Sequence, residues 1–203
     1  MILAIGTAHR ACSLALIQDC RVTARVHDVI GRGHAEKLVP MIADLVGGNA
    51  IDRIAVEVGP GSFTGIRVGI AAAKALAFAW GVPVNGFLST EVLAARAASE
   101  LARDSRIAVV LDGGRGEVFL QYFTGTSPVG DILAIPAASV AIDAEVAIGT
   151  GVPLIMLPAG VRNLGAHIPD ATDVRLLPAD RLSARDATPV YVRPPDAKPP
   201  AAR

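Results

Sequence analysis

Apolar and polar residues alternate with a period of two at the start of the chain, and helical spacing takes over further on. Residues 2–6, 11–17 and 21–28 read as three short strands. In the second, Cys12, Leu14 and Leu16 fall on one face and Ser13 and Ala15 on the other. The links between them, Thr7-Ala8-His9-Arg10 and Gln18-Asp19-Cys20, are short enough for antiparallel neighbours. Leu38, Met41, Ile42 and Leu45 then predict a helix over 34–46, closed by Gly47-Gly48. A strand over 53–58, a helix over 64–80, a strand over 83–87 and a helix from Ser89, as its N-cap, to about Arg103 complete the first half.

The order β-β-β-α-β-α-β-α distinguishes between α/β folds. A doubly wound sheet alternates strand and helix from the first strand. Three antiparallel strands followed by alternating helices and parallel strands describe a ribonuclease-H-like core, the building block of the actin-like ATPase superfamily. A second set begins at Arg106: Ile107–Leu111 and Glu117–Phe123 pair across Asp112-Gly113-Gly114-Arg115-Gly116, as a truncated copy of the same strand-first module. From Pro128 the pattern weakens into short apolar runs broken by proline and glycine. Where a further helix is expected, the segment from Leu176 to Ala187 is short and contains Pro178. The expectation is two lobes, over 1–104 and 105–193, the second one reduced, with a proline-rich flexible tail over 194–203.

Composition narrows the class. With 52% hydrophobic and 19% charged residues in 203, the chain is too apolar to be disordered and long enough to bury a real core. The apolar stretch from Gly65 to Val84 carries Arg67 and Lys74 and stops at Gly81-Val82-Pro83, so it reads as a buried helix rather than a membrane span. No basic region precedes the first apolar run, which reads as a strand and not a leader. Nineteen basic and nineteen acidic side chains cancel, which argues against autonomous gripping of a nucleic-acid backbone, although a local patch is compatible with a neutral total. Cys12 and Cys20 fit neither a disulfide framework nor a zinc site, and a reducing cytoplasm is expected.

One motif stands out, Gly59-Pro60-Gly61-Ser62-Phe63-Thr64-Gly65-Ile66-Arg67-Val68-Gly69, between a strand and a helix. The turn frees backbone N–H groups, and Ser62 or Thr64 can cap the helix. Gly65 and Gly69, four apart, leave a smooth stripe for close helix approach. Two readings stay open: a structural turn with a packing helix, or an anion site at the helix start. The P-loop reading fails, because Ile66-Arg67 stands where a Lys-Ser/Thr pair is required.

The run from Gly59 to Gly69 resembles the signature of the bacterial TsaB (YeaZ) family. Supporting similarities are Ile2-Leu3-Ala4-Ile5 with Ala11–Leu16, His34 with Leu38-Val39-Pro40-Met41, Asp112 with Gly116–Phe119, and Pro189–Arg193 as a near-terminal strand. The resemblance implies a non-catalytic, cytoplasmic scaffold subunit needed for threonylcarbamoyladenosine modification of tRNA beside the anticodon. It would act with a TsaD-type catalytic subunit and a TsaE-type ATPase, touching tRNA only through the complex, with no membrane and no cofactor of its own; a nucleotide at a subunit interface is the only one it leaves room for. Its first two helices would pair with those of the partner, or with a second copy in a homodimer.

From the first helix His34, Leu38, Met41 and Leu45 are therefore the candidate partner-binding residues. From the second they are Phe63, Gly65, Ile66, Arg67, Gly69, Ile70 and Lys74. About half of these are expected to serve the chain's own core. ATP-binding members of the superfamily carry an acid at the end of the first strand, as TsaB-like sequences commonly do; this chain has Gly6. The catalytic relative holds its metal with two histidines one helical turn apart, and His34 is followed at that spacing by Leu38. His9, His27 and His167 show no ligand spacing, so no metal site is expected. Asp112 is either a phosphate-loop acid or a hairpin aspartate satisfying its own turn. Ser62 has no assignable His/Asp pair. The alternatives to the scaffold are an actin-like ATPase or kinase and, least of all, a glycoprotease-type peptidase.

Overall fold

A computed structural model describes residues 1–193, so the predicted tail lies outside the described residues. The first sheet holds β1 (Ile2–Gly6), β2 (Ala11–Gln18) and β3 (Arg21–Val29), antiparallel in sequence, with β4 (Arg53–Gly59) and β5 (Val84–Leu88) added in parallel. Its order is β3-β2-β1-β4-β5. The second sheet comprises β6 (Arg106–Gly114), β7 (Glu117–Thr124), β8 (Ser127–Pro136), β9 (Val146–Ile148) and β10 (Arg162–Asn163). Its order, β10-β9-β6-β7-β8, is that of the first sheet read from the other edge, with β6 and β7, then β7 and β8, antiparallel, and β9 parallel to β6. The second lobe thus repeats the ribonuclease-H-like strand plan, and short irregular crossovers stand where the first lobe has helices.

Side-chain alternation sorts the first sheet's core into two faces. Leu3, Ile5, Leu14, Leu16, Ile54 and Val56 point to α1 (His34–Val46) and α2 (Phe63–Trp80). Ala4, Ala15 and Ala55, the small residues between them, point the other way, to α3 (Ser89–Ala98). The second sheet divides likewise: Ile107, Val109 and Leu111 meet α3, and Ala108 and Val110 meet the loops beyond. α3 is a wedge between the sheets, with Val92 and Ala95 toward the first and Leu93, Ala94 and Ala97 toward the second. Nearly all of it is buried, and Thr90 Oγ1 donates to Gln121 Oε1 of β7 at 2.6 Å.

The structure corrects four expectations. α3 ends at Ala98, not near Arg103. β8 was hidden in the sequence by Pro128, Gly130 and Pro136, which suit an edge strand because only one side of it is paired. The residues past about 168 do not stay with the second lobe. The 3-10 turn Ala171–Leu176 packs Ala171 and Val174 into the first sheet's alanine face, and α4 (Ala179–Ala184) lies beside β5. Val190 N–H donates to Val58 O at 2.8 Å, but 189–193 forms no strand.

α2 begins where the glycine-rich run predicts. Ser62 is its N-cap and accepts from the Gly65 N–H at 3.3 Å. The glycines serve the chain's own β1–β2 turn: a Cβ at Gly61 would overlap Ala8, one at Gly65 the Thr7 carbonyl oxygen, and one at Gly69 the Thr7 hydroxyl. Thr7 Oγ1 donates to Gly65 O at 2.8 Å, and the Ser62 N–H donates to Ala8 O at 2.7 Å. Replacing Gly65 by Ala forces backbone apart, and overpacking of this kind costs about 1–3 kcal/mol. Urea denaturation of Gly65→Ala should show that loss; an unchanged unfolding midpoint would refute the close fit.

Candidate functional site

Between the lobes lies a cavity of about 910 Å³. It is walled by the β1–β2 turn, the starts of α1 and α2, the β6–β7 turn and the C-terminal segment. At its base a polar cluster is built around Glu57, which stands in the apolar strand β4 and is only 2% exposed. A buried carboxylate must be satisfied by donors. Oε2 accepts from the Ala8 N–H at 2.9 Å and Oε1 from Ser89 Oγ at 2.7 Å. Gly6 eases the fit, since a Cβ there would stand 3.3 Å from Glu57 Oε2, closer than ordinary contact. The acid missing from the end of β1 is thus replaced in space by one from β4, whose oxygens hold the β1–β2 turn and the start of α3.

His9 packs over the same carboxylate, with Nε2 3.7 Å from Glu57 Oε1, too far for a hydrogen bond, and buried without a hydrogen-bond partner. Burial pushes its pKa below the ordinary histidine value, against the opposing pull of Glu57, the Pro60 carbonyl and Asp112. Among the described residues no three His, Cys, Asp or Glu side chains gather as a metal set. Asp112 Oδ1 accepts from the Gly114 N–H at 2.8 Å, so this aspartate satisfies its own turn. Two N–H groups of the glycine run are engaged within the chain, that of Ser62 by Ala8 O and that of Gly65 by Ser62 Oγ.

Serine chemistry finds no support in the geometry. The Ser62 hydroxyl caps α2. A Ser-His-Asp trio does assemble elsewhere, from Ser13, His27 and Asp170, yet both Ser13 Oγ (3.0 Å) and Asp170 Oδ2 (3.3 Å) face the same ring nitrogen, Nδ1. A catalytic relay needs the serine on one nitrogen and the acid on the other. Here Ser13 Oγ accepts from the Ala171 N–H at 2.9 Å, and the trio ties the returning C-terminal segment to β2 and β3.

The candidate partner-binding residues divide. Leu38, Gly65, Ile66, Gly69 and Ile70 are buried in the chain's own core, the glycines against Thr7, and offer no side chain to another molecule. Met41 and Leu45 are half-buried and pack on the same core. His34, at the cavity rim, contacts Ala11 O at 3.3 Å. Phe63 stacks on Tyr191 at a centroid distance of 4.6 Å, and Arg67 lies 3.7 Å over the Phe63 ring while donating to the Tyr191 hydroxyl. Lys74 and Arg67 are exposed.

The outward apolar surface is made by other residues. Phe78 is 92% and Val39 55% exposed, with Trp80 beside the end of α2, and Ala35, Ala43, Ala71, Ala75 and Ala79 are exposed on the same two helices. α2 is apolar nearly all round, which is the signal that could have found this surface in the sequence.

Because burial lowers the His9 pKa in the folded state, the unfolded chain binds more protons as pH falls through about 6.5, and folding stability declines with acidification in that range. Denaturation midpoints measured from pH 7 to pH 5 should fall more steeply in the wild type than in His9→Gln; parallel curves would contradict the lowered pKa of the buried ring.

The comparisons with known proteins agree with the architecture. The family described as TsaD, tRNA N6-adenosine threonylcarbamoyltransferase, matches residues 26–153. The Escherichia coli tRNA threonylcarbamoyladenosine biosynthesis protein TsaB is 37% identical over 123 residues, covering 58% of this chain and 52% of that one. The chain is thus matched to about half the length of that relative. An uncharacterized Mycobacterium tuberculosis protein is 31% identical over 98% of this chain and 94% of its own. A Pseudomonas aeruginosa crystal structure, of an uncharacterized protein with similarity to peptidase YEAZ, superposes with a TM-score of 0.80 at 30% identity, covering 95% of this chain and 99% of that one. Shared motif, fold and end-to-end similarity place the molecule: the chain belongs to the TsaB (YeaZ) family of TsaD-related proteins.

Proposed function

We propose that this chain is a non-catalytic scaffold subunit in the formation of threonylcarbamoyladenosine on tRNA. It pairs the outer face of α1 and α2 with the equivalent helices of a TsaD-type catalytic subunit, in an assembly completed by a TsaE-type ATPase. The Escherichia coli relative is named for that biosynthesis. The observation that carries the reading is the uncovered apolar surface of Val39, Phe78, Trp80 and the alanines around them. Exposed apolar side chains on two neighbouring helices suit a partner site, and alanines let two helices approach closely around an aromatic anchor.

A partner of the same fold is the occupant this face suits, since it presents the same pair of helices, and a second copy of the chain substitutes when the partner is absent. The chain needs no nucleotide of its own for this role. Glu57, beside the end of β1, accepts hydrogen bonds from the Ala8 N–H and the Ser89 hydroxyl.

Phe78→Glu should weaken self-association, measured by sedimentation, and binding to the purified catalytic subunit, measured by calorimetry, by about thirtyfold, as a loss of about 2 kcal/mol at an interface anchor implies. Its thermal midpoint should stay near that of the wild type. Ile70→Glu should instead unfold the chain, because Ile70 faces the sheet. A wild type that neither self-associates nor binds the catalytic subunit would end the scaffold reading.

A further inference from the structure

Within four residues the returning C-terminal segment is pinned to both lobes. Val190 packs on the first lobe's core, and its N–H donates to Val58 O at 2.8 Å. Its carbonyl lies against the backbone of Gly59, where a Cβ would stand 2.6 Å from the oxygen. Tyr191 stacks on Phe63 of α2, and its hydroxyl accepts from Arg67 Nε at 2.9 Å. Val192 then packs on the core formed by α3 and the second sheet, and Arg193 donates to Glu117 Oε2 of β7 at 2.6 Å. All four residues line the inter-lobe cavity. Residues 190–193 thus run as a strap from β4 and α2 on one side of the cavity to β7 on the other.

The strap's first-lobe anchor stands on the outer stripe of α2. Arg67, Ala71, Lys74 and Phe78 follow one another at helical spacing, so they share one side of the helix, and all four are exposed. A partner seated on Phe78 along that stripe therefore covers the Arg67 guanidinium as well. That guanidinium lies 3.7 Å over the Phe63 ring while it bonds to Tyr191. Water competes for an exposed cation, and both kinds of contact gain strength once the water is removed.

We propose that residues 190–193 are a strap whose grip on the two lobes tightens when a partner covers the α2 stripe, so that docking on the helices holds the lobes together at the cavity. The inference rests on the α1–α2 face being the pairing surface. Coupling of this kind is reciprocal, so loosening the strap at its far end weakens partner binding. Glu117, on β7 and outside both helices, is that far end.

The test is hydrogen–deuterium exchange of the fragment spanning 188–193, with the Val190 amide as reporter, in the free chain and in complex with the purified catalytic subunit. Exchange in the wild type should slow by about fivefold or more in the complex, the lower end of ordinary coupling between two sites. Glu117→Gln should speed exchange in the free chain and weaken binding of the catalytic subunit severalfold in calorimetry, although it touches neither helix. Tyr191→Phe, which keeps the ring stack and loses the hydroxyl, should also speed exchange. Both substitutions preserve side-chain shape, and unchanged thermal midpoints check that the fold is kept. Equal exchange in the free and bound wild type would overturn the proposal, as would free-chain exchange or partner affinity that Glu117→Gln leaves unchanged. A wild type that binds no catalytic subunit defeats the pairing reading and the coupling together, whereas binding without slowed exchange defeats the strap alone.

Discussion

The fit of the β1–β2 turn against the start of α2 organises the rest of the first lobe. Three glycines at 61, 65 and 69 strip one side of the helix so that Thr7 and Ala8 can lie against its backbone, and Thr7 and Ser62 supply the hydrogen bonds that fix the register. With that edge of α2 set against the turn, Ile66, Ile70, Ala73 and Ala77 must meet the sheet, and Ala71, Ala75 and Phe78 must face out. The inner contact therefore determines the outer surface.

The polar cluster beneath the cavity depends on the same turn. Glu57 reaches the Ala8 N–H beside Gly6, which leaves its carboxylate room, and Ser89 completes the arrangement from the start of α3. A carboxylate in this position, held by backbone and hydroxyl donors, acts as an internal brace between the turn, β4 and α3. The His9 Nε2, buried without a hydrogen-bond partner, is the cost of that packing.

Much of this was legible in the sequence, because local signals and global fold agree over the first ninety residues. Strand alternation located β1 to β5 within a residue or two, and Gly47, Ser62 and Gly81 bracket helices whose ends they cap. Misreadings arose where a local pattern has more than one possible neighbour. Spacing revealed that Gly65 and Gly69 form a smooth stripe, but the neighbour that fills it comes from 58 residues earlier in the chain, at Thr7. Apolar spacing on α1 and α2 likewise pointed to Leu38, Ile66 and Ile70, which the sheet absorbs, while Phe78 and Val39 carry the exposed surface. Glu57, the one charge in Ile54–Val58, was not among the candidate residues, because its role depends on the three-dimensional proximity of Gly6 and Ser89.

That return has a mechanical consequence. The backbone crosses from the first lobe to the second after α3 and crosses back before the 3-10 turn at 171–176, so the two halves are joined by two separate covalent links, with the α3 wedge between them. Two bodies tethered at two points can rock about the line through the tethers, but they cannot freely swivel or drift apart. Motion in this molecule is accordingly channelled into widening or narrowing the gap between its halves, and whatever braces one crossing, as Ser13, His27 and Asp170 do, stiffens the whole movement.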